Sequence, residues 1–294
     1  MSEQIQRMGS DAGFIAALDQ SGGSTPKALS LYGVDESAYS NDDEMFDAVH
    51  AMRSRIMTNP RFDGSRILGA ILFQNTLDRD VAGMPTSEYL WRRKRILPFL
   101  KIDYGMADEA DGVQVMKPIP DLAERLPAAR AKCVFGTKMR SAIKAPNEAG
   151  IARVVEQQFA FADEVRDHGL VPIIEPEVDI HAEDKPACED ILRDHLHKGL
   201  DDLKGDAPVV FKLTLPDEAN HYRELCGHPK VLRVVALSGG YSRQVSNEKL
   251  AANTGVIASF SRALTEGLRV DLDDAAFTAM LDGAIASIAA ASAT

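Results

Sequence analysis

Pro208-Val209-Val210-Phe211-Lys212-Leu213-Thr214-Leu215 is the stretch on which the fold turns. It is short for a globular helix, rich in β-branched and aromatic residues, and apolar at successive rather than alternate positions. Such a run fits a strand buried on both faces, as in a parallel sheet covered by helices. Seven more runs of this kind flank it: Gly13–Asp19, Arg66–Phe73, Leu97–Asp103, Lys132–Lys138, Leu170–Glu177, Leu232–Ser238 and Val256–Ser259. From the second run onward the starts lie roughly 24 to 38 residues apart, the size of a βα unit. The first interval is longer and holds an extra helix.

Helical patterns fill the gaps. Over Ser40–Thr58, Ser40 or Asn41 can cap, Asp42, Asp43 and Glu44 fill the first turn, and Met45, Val49, Met52 and Ile56 mark one face. Asn59-Pro60 stops it. A second pattern runs from about Asn147 to His168, with Gly169 as its stop. No linker or shift of composition divides the chain, and no Gly-x-Gly-x-x-Gly follows a strand, which argues against a dinucleotide-binding sheet. Eight alternating units predict an α/β fold, a single (β/α)8 barrel spanning residues 1–294.

Composition narrows the function. The chain has 294 residues, 45% of them hydrophobic, enough for a large core. A net charge of −11 without any basic tract argues against nucleic acid as a partner. The start, Met1-Ser2-Glu3-Gln4, has no signal-peptide character, and no apolar run approaches a membrane span; the Ala-rich stretch Ala284–Ala291 reads as a terminal helix. Cys133, Cys188 and Cys226 are odd in number and far apart, as in a cytoplasmic protein without disulfides.

Barrel active sites lie at the C-terminal ends of the strands. There the sequence places Asp19, Lys101 with Asp103, Lys138 and Arg140, Glu175 and Glu177, Lys212, Ser238-Gly239-Gly240, and Ser259 with Arg262 just beyond. A lysine ending one strand is ordinarily a solvated edge; convergence of this many charges on one mouth is not. Lys212 has apolar flanks on both sides, so a solvated edge is a poor account of it. Burial and neighbouring cations favour the neutral form of an amine, the form that attacks a ketone. Dehydration of the carbinolamine then needs a proton donor, for which Glu175 on the adjacent strand is suited. The iminium draws electrons from the neighbouring C–C bond, and Asp19 is the base for the departing hydroxyl. Ser238, Gly239 and Gly240 with Arg262, and with Ser259 at the end of strand eight, read as a phosphate pocket, because exposed N–H groups at Gly-rich turns cradle anions. Ser21, Ser24 and Lys101 read as a second, at the other end of the substrate. Metal is disfavoured: the seven histidines avoid the strand ends, and His195 and His197 are two apart in a helix and face different sides. No cofactor is expected.

At these residues the sequence resembles the class I fructose-bisphosphate aldolases, and in length their short bacterial branch. The matching stretches include Ala17-Leu-Asp19-Gln-Ser-Gly-Gly-Ser24, Ile71-Leu-Phe-Gln-Asn75, Leu100-Lys101-Ile-Asp103, Lys138-Met-Arg140, Val171-Pro-Ile-Ile-Glu175-Pro-Glu177, Phe211-Lys212, Leu237-Ser-Gly-Gly240 and Ser259-Phe-Ser-Arg262. They span Gly13 to about Leu264, and the ordered set is far more specific than any single piece. The resemblance implies Lys212 as the Schiff-base lysine, Glu175 as acid and base for the imine steps, and Asp19 assisting C–C cleavage. It implies Lys138 and Glu177 lining the same cavity, Arg140 and Lys101 toward the far phosphate, and Ser238, Gly239 and Arg262 on the near one. It also implies a sugar bisphosphate as the small-molecule partner and a homo-oligomer, commonly a tetramer.

The chain departs from animal members at Met139 (tryptophan there), Leu213 (proline), Ser261 (glycine), and in lacking the C-terminal tyrosine that helps protonate the enamine. Other readings stay open at this point: a Schiff-base aldolase or transaldolase for another sugar phosphate such as tagatose bisphosphate, a sugar-phosphate isomerase using Glu175, or a non-catalytic sugar-phosphate-binding barrel. An isomerase or a binder would have no use for a nucleophile in an apolar strand.

Overall fold

All eight apolar runs form strands of one closed parallel barrel in the computed structural model, which describes residues 2–294. They are β1 (Phe14–Leu18), β2 (Ile67–Leu72), β3 (Leu97–Lys101), β4 (Gly136–Ile143), β5 (Val171–Val178), β6 (Val209–Thr214), β7 (Val231–Leu237) and β8 (Val256–Phe260). Each pairs with its sequence neighbours, β1 pairs with β8, and β3 with β4, so the sheet has no free edge. The fold is a (β/α)8 barrel.

The strands bury both faces in different company. Inward go Ile15, Ala17, Ile71, Phe99, Ile173, Val210, Val235 and Ile257, which fill the barrel. Outward go Met139, Ile174, Phe211, Leu213 and their neighbours, which meet the helices. Each such Val, Leu or Ile stabilises the fold by about 1.5–3 kcal/mol when fully buried. Phe99 needs space across the barrel. A Cβ on Gly136 would stand 2.8 Å from its ring and 2.1 Å from the Val171 carbonyl, so only glycine fits there. The N-terminal helix α1 (Ser2–Ser10) closes the bottom of the barrel with Met8 fully buried.

The first interval holds the expected extra helix: α2 (Ser24–Tyr32) precedes α3 (Asp42–Thr58). Asn41 caps α3 by accepting from Glu44 N at 2.9 Å. Asn147 caps the helix α5 (Glu148–Asp167), and Gly169, at φ +70°, releases the chain into β5. The helices α4 (Leu122–Ala131), α6 (Lys185–Asp202), α7 (Arg243–Ala251) and α8 (Asp274–Ala291) complete the outer layer.

Three features differ from the sequence expectation. The fourth strand begins at Gly136 rather than Lys132, because α4 runs to Ala131 and Cys133 turns the chain at φ +61°. It continues past Lys138 to Ile143, because Val113–Gln114 pairs antiparallel with Ala142 and Ile143 beyond the barrel rim. The terminal helix begins at Asp274, well before Ala284, with Asp273 as its cap. By length and composition α8 is apolar enough to cross a membrane. In the fold it lays Phe277, Leu281, Ala284, Ile285, Ile288 and Ala291 against the barrel. Thr294 lies at the foot of β8, where its carbonyl accepts from Gly255 N, on the face opposite the strand C-termini.

Candidate active site

The alternation of side chains along a strand decides which groups meet in the mouth. On β6, Val210 points in, Phe211 out, Lys212 in and Leu213 out. On β4, Lys138 and Arg140 point in and Met139 out. On β5, Ile173 lies inside the barrel, with Glu175 and Glu177 above it. The lower half of the barrel is therefore apolar and the C-terminal rim charged. Above the apolar layer opens a cavity of about 550 Å³.

At the floor of this cavity four charged groups form a chain. Lys212 Nζ lies 3.0 Å from Glu175 Oε1, Lys138 Nζ lies 3.0 Å from Glu175 Oε2, and the same Nζ lies 2.7 Å from Asp19 Oδ2. All four residues are at most 8% exposed, so a solvated-edge reading is excluded for each. Charges so deeply buried are costly unless paired or used. Here the pairing is incomplete: Glu175 Oε2 has its ion-pair contact but no aligned hydrogen-bond donor, and Ser259 Oγ has no partner among the described residues.

Burial pushes the Asp19 carboxyl up, but Lys138 and Lys212 outweigh it and hold the group well below the usual carboxylate range. Burial likewise disfavours the Lys138 ammonium, yet Asp19 and Glu175 raise it above the ordinary lysine value. Both groups are thus ionised at neutral pH. Higher in the cavity Arg140 pairs with Glu177, and Lys101 Nζ reaches Asp103 Oδ1 at 2.6 Å. The guanidinium of Arg140 is held above its ordinary value, burial being outweighed by Glu177 and Glu175.

Backbone turns supply the remaining wall. Gly239 adopts φ +60°, and a Cβ there would meet Ile180 at 2.5 Å. Gly240, at φ +126°, approaches Arg262 Nη2. Across the rim, Ser24 Oγ donates to the Ser21 carbonyl at 2.8 Å and accepts from Ser21 N at 2.9 Å, shaping the turn into α2.

Thirteen of the fourteen residues singled out from the sequence line this cavity: Asp19, Ser21, Ser24, Lys101, Lys138, Arg140, Glu175, Glu177, Lys212, Ser238, Gly239, Ser259 and Arg262. Gly240 is the one that does not. The turn carrying Ser21 and Ser24 is tied to the β8 turn by Gln20 Nε2 donating to Ser261 Oγ at 2.5 Å. Lys101 stands two strands away from that turn, on β3. The departures Met139 and Leu213 face the helix layer and do not touch the cavity; Ser261 does line it.

Several residues at or near the cavity escape a sequence reading. Lys27 lines the mouth from the first turn of α2 and Met106 from the irregular segment after β3. Arg53 and Gln158 stand one layer back, each a buried polar residue of its helix, and Gln158 carries a legible signal as a polar residue in an apolar stripe. The amide of Gln158 accepts from Glu175 N at 2.8 Å and donates to Ser141 Oγ at 3.1 Å, fixing the strand that carries Glu175.

A family model described as the glycolytic class I fructose-bisphosphate aldolase matches residues 1–204. A class 1 fructose-bisphosphate aldolase of Porphyromonas gingivalis is 53% identical over 290 residues, covering 99% of this chain and 98% of its own. One from Synechocystis is 56% identical over 292 residues, covering 99% and 97%. Among solved structures, a Plasmodium falciparum fructose-bisphosphate aldolase, crystallised with TRAP and a small-molecule inhibitor, superposes with a TM-score of 0.80 at 19% identity, covering 99% of this chain and 93% of that one. A Corynebacterium glutamicum protein does so at 0.58 and 15% identity, covering 99% and 92%. These two likenesses speak to the fold.

Proposed function

The chain belongs to the class I fructose-bisphosphate aldolases, and from that premise we propose the residues through which it works. The enzyme cleaves fructose 1,6-bisphosphate reversibly into dihydroxyacetone phosphate and glyceraldehyde 3-phosphate through a lysine Schiff base. In our reading Lys212 is that lysine. The observation that carries the assignment is the position of Glu175, with one carboxylate oxygen 3.0 Å from Lys212 and the other 3.0 Å from Lys138.

Glu175 takes a proton from Lys212 across their 3.0 Å contact, and the neutral amine adds to the C2 carbonyl of the substrate. Glu175 delivers a proton to the carbinolamine hydroxyl, which leaves as water, and the iminium forms. Asp19 takes the proton of the C4 hydroxyl, the C3–C4 bond breaks, and its electron pair passes into the iminium to give an enamine. Glyceraldehyde 3-phosphate departs. Protonation of the enamine at C3 and hydrolysis then release dihydroxyacetone phosphate and restore the amine. Lys138 keeps Asp19 ionised and stands between it and Glu175. Ser238, Gly239, Gly240, Ser259 and Arg262 hold the phosphate of the ketone half. Ser21, Ser24, Lys101 and Arg140 hold the other phosphate, and Glu177 orients Arg140.

Borohydride reduction in the presence of dihydroxyacetone phosphate, followed by peptide mass spectrometry, tests the assignment. The adduct is expected on Lys212. An adduct on Lys138 or Lys101 would overturn the residue, and no adduct with activity intact would overturn the mechanism.

Residues 1–294 are assigned to one catalytic domain, supported by a single sheet running from Phe14 to Phe260 with α1 and α8 packed on it. The enzyme is placed in the cytoplasm as a homo-oligomer, supported by its unpaired cysteines and by the family resemblance. Light scattering giving a mass near the 32.0 kDa of one chain would overturn the oligomer.

A further inference from the structure

Arg53 belongs to α3, outside the barrel, yet it is wholly buried. Its Nη1 donates to Thr76 Oγ1 at 2.6 Å, and its Nη2 to the Gln20 carbonyl at 2.5 Å and to Gln20 Oε1 at 3.4 Å. Its Nε has no partner, and its acceptors are all neutral. Burial brings the guanidinium down to about 10, although Asp19 favours its charge. Burying a cation without a direct ion pair is costly, and a neutral side chain would fill the same space more cheaply. What the charge holds is informative. Gln20 follows Asp19 and precedes Ser21, and its side-chain amide donates to Ser261 Oγ, next to Arg262.

We propose that Arg53 is a positioning residue which, through Gln20, fixes the carboxylate of Asp19 relative to the phosphate-holding turns that follow β1 and β8. This rests on the assignment of Asp19 to bond cleavage. Lys212 and Glu175 stand on β6 and β5 and do not depend on Gln20. Lys138 on β4 contacts Asp19 directly, while Lys212 and Lys101 bear on it through their charge, but none of them holds its backbone. Arg53 instead holds the backbone of the next residue, by donating to the Gln20 carbonyl. The proposal therefore separates two steps: imine formation is independent of Arg53, and C–C cleavage is not.

The test compares Arg53→Lys, Arg53→Met and Thr76→Val. Each is assayed for cleavage of fructose 1,6-bisphosphate and for the rate of borohydride trapping of dihydroxyacetone phosphate at Lys212, with activities normalised to trappable sites. A misplacement of about 1 Å can cost on the order of 10²-fold. Arg53→Lys keeps the charge but loses the fork, and is expected to cut kcat for cleavage about 10- to 100-fold while the trapping rate stays within about threefold. Arg53→Met is expected to lose at least as much. Thr76→Val removes the partner farther from the site and is expected to lower the melting temperature while kcat holds. Equal falls in cleavage and trapping, or an Arg53→Lys enzyme with wild-type kcat per site, would overturn the proposal, as would a Thr76→Val enzyme as impaired as Arg53→Lys. If the wild-type enzyme gave no adduct at Lys212, the Schiff-base assignment would fail instead.

Discussion

Two of the buried lysine–glutamate pairs in this molecule are built to different ends. Lys212 and Glu175 lie inside the barrel mouth; Lys185 and Glu189 lie between α6 and the segment after β6. Exposure does not tell them apart, since no member exceeds 5%. Their hydrogen bonding does. Lys185 donates to Glu189 Oε1 at 2.5 Å and to the Leu215 carbonyl at 3.0 Å, and lies 3.1 Å from Asp217. The second oxygen of Glu189 accepts from Asp217 N. That pair is saturated and encloses no cavity. Lys212 has one ion-pair contact, at 3.0 Å, and faces 550 Å³ of open space. A buried charge marks a functional site where its bonding is left incomplete toward a cavity, and a structural strut where it is closed.

Exchanging each lysine for methionine would break this comparison most directly. Lys212→Met is expected to abolish trapping and to lower turnover by about 10⁵-fold or more, the scale seen when the nucleophile of a coupled catalytic set is removed. Its melting temperature should change little, because Glu175 keeps Lys138 as a partner. Turnover within tenfold of wild type would show that Lys212 is not the nucleophile. Lys185→Met should do the reverse. It strands Glu189, and breaking a buried pair on one side costs about 3–5 kcal/mol. Urea denaturation should show that loss, with turnover per trapped site unchanged, and adding Glu189→Leu should recover most of it. A stable single variant would mean that the pair is not a strut.

A smaller effect sharpens the contrast within the cavity. Lys101 and Arg140 are held by Asp103 and Glu177, whereas Arg262 forms no ion pair among the described residues. A cation left uncommitted is available to phosphate. Arg262→Ala is expected to weaken binding of dihydroxyacetone phosphate by about 1.5–3 kcal/mol, roughly 10- to 150-fold. Isothermal titration checks this, and unchanged affinity would place Arg262 outside the pocket.

The barrel was legible because its signal is local: continuous apolar runs at βα spacing need no long-range information. All eight strands form where the runs predict them; of the displaced boundaries, the end of β4 has a non-local cause, its pairing with Val113–Gln114. The site was legible for a related reason. A charged residue inside an apolar strand, as with Lys212, or at a strand end, as with Asp19, must point into the barrel or its mouth. Lys27 and Met106 were not: Lys27 reaches the cavity from the start of the extra helix α2 and Met106 from an irregular segment, and the sequence reveals the path of neither. Arg53 was masked differently. The apolar face Met45, Val49, Met52 and Ile56 identified α3, and an arginine at the adjoining position reads as the edge of that face. Only the packing of α3 over the β1–β2 seam shows that the position is inside.

The smallest expected effect is a pH dependence of opposite sign in the two regions. The folded-state carboxyl of Asp19 is depressed, because Lys138 and Lys212 outweigh burial. Its ionisation adds stability that is fully present above the unfolded value near 3.8 and lost as pH falls toward the folded one. Glu189 is raised, because burial outweighs Lys185. For it the unfolded chain releases its proton first, near 4.5, so its contribution falls as pH rises from there through the folded value. Each single-proton slope is at most about 1.4 kcal/mol per pH unit. Unfolding free energies of wild type, Asp19→Asn and Glu189→Gln, measured from about pH 2.5 to 7, would resolve the two. Removing Asp19 should flatten the wild-type loss of stability in acid below its unfolded value. Removing Glu189 should instead abolish a decline that begins as the pH rises past its own. If both substitutions flattened the same acidic limb, Glu189 would be an ordinary paired carboxylate, and the contrast between an electrostatically driven mouth and a burial-dominated strut would collapse.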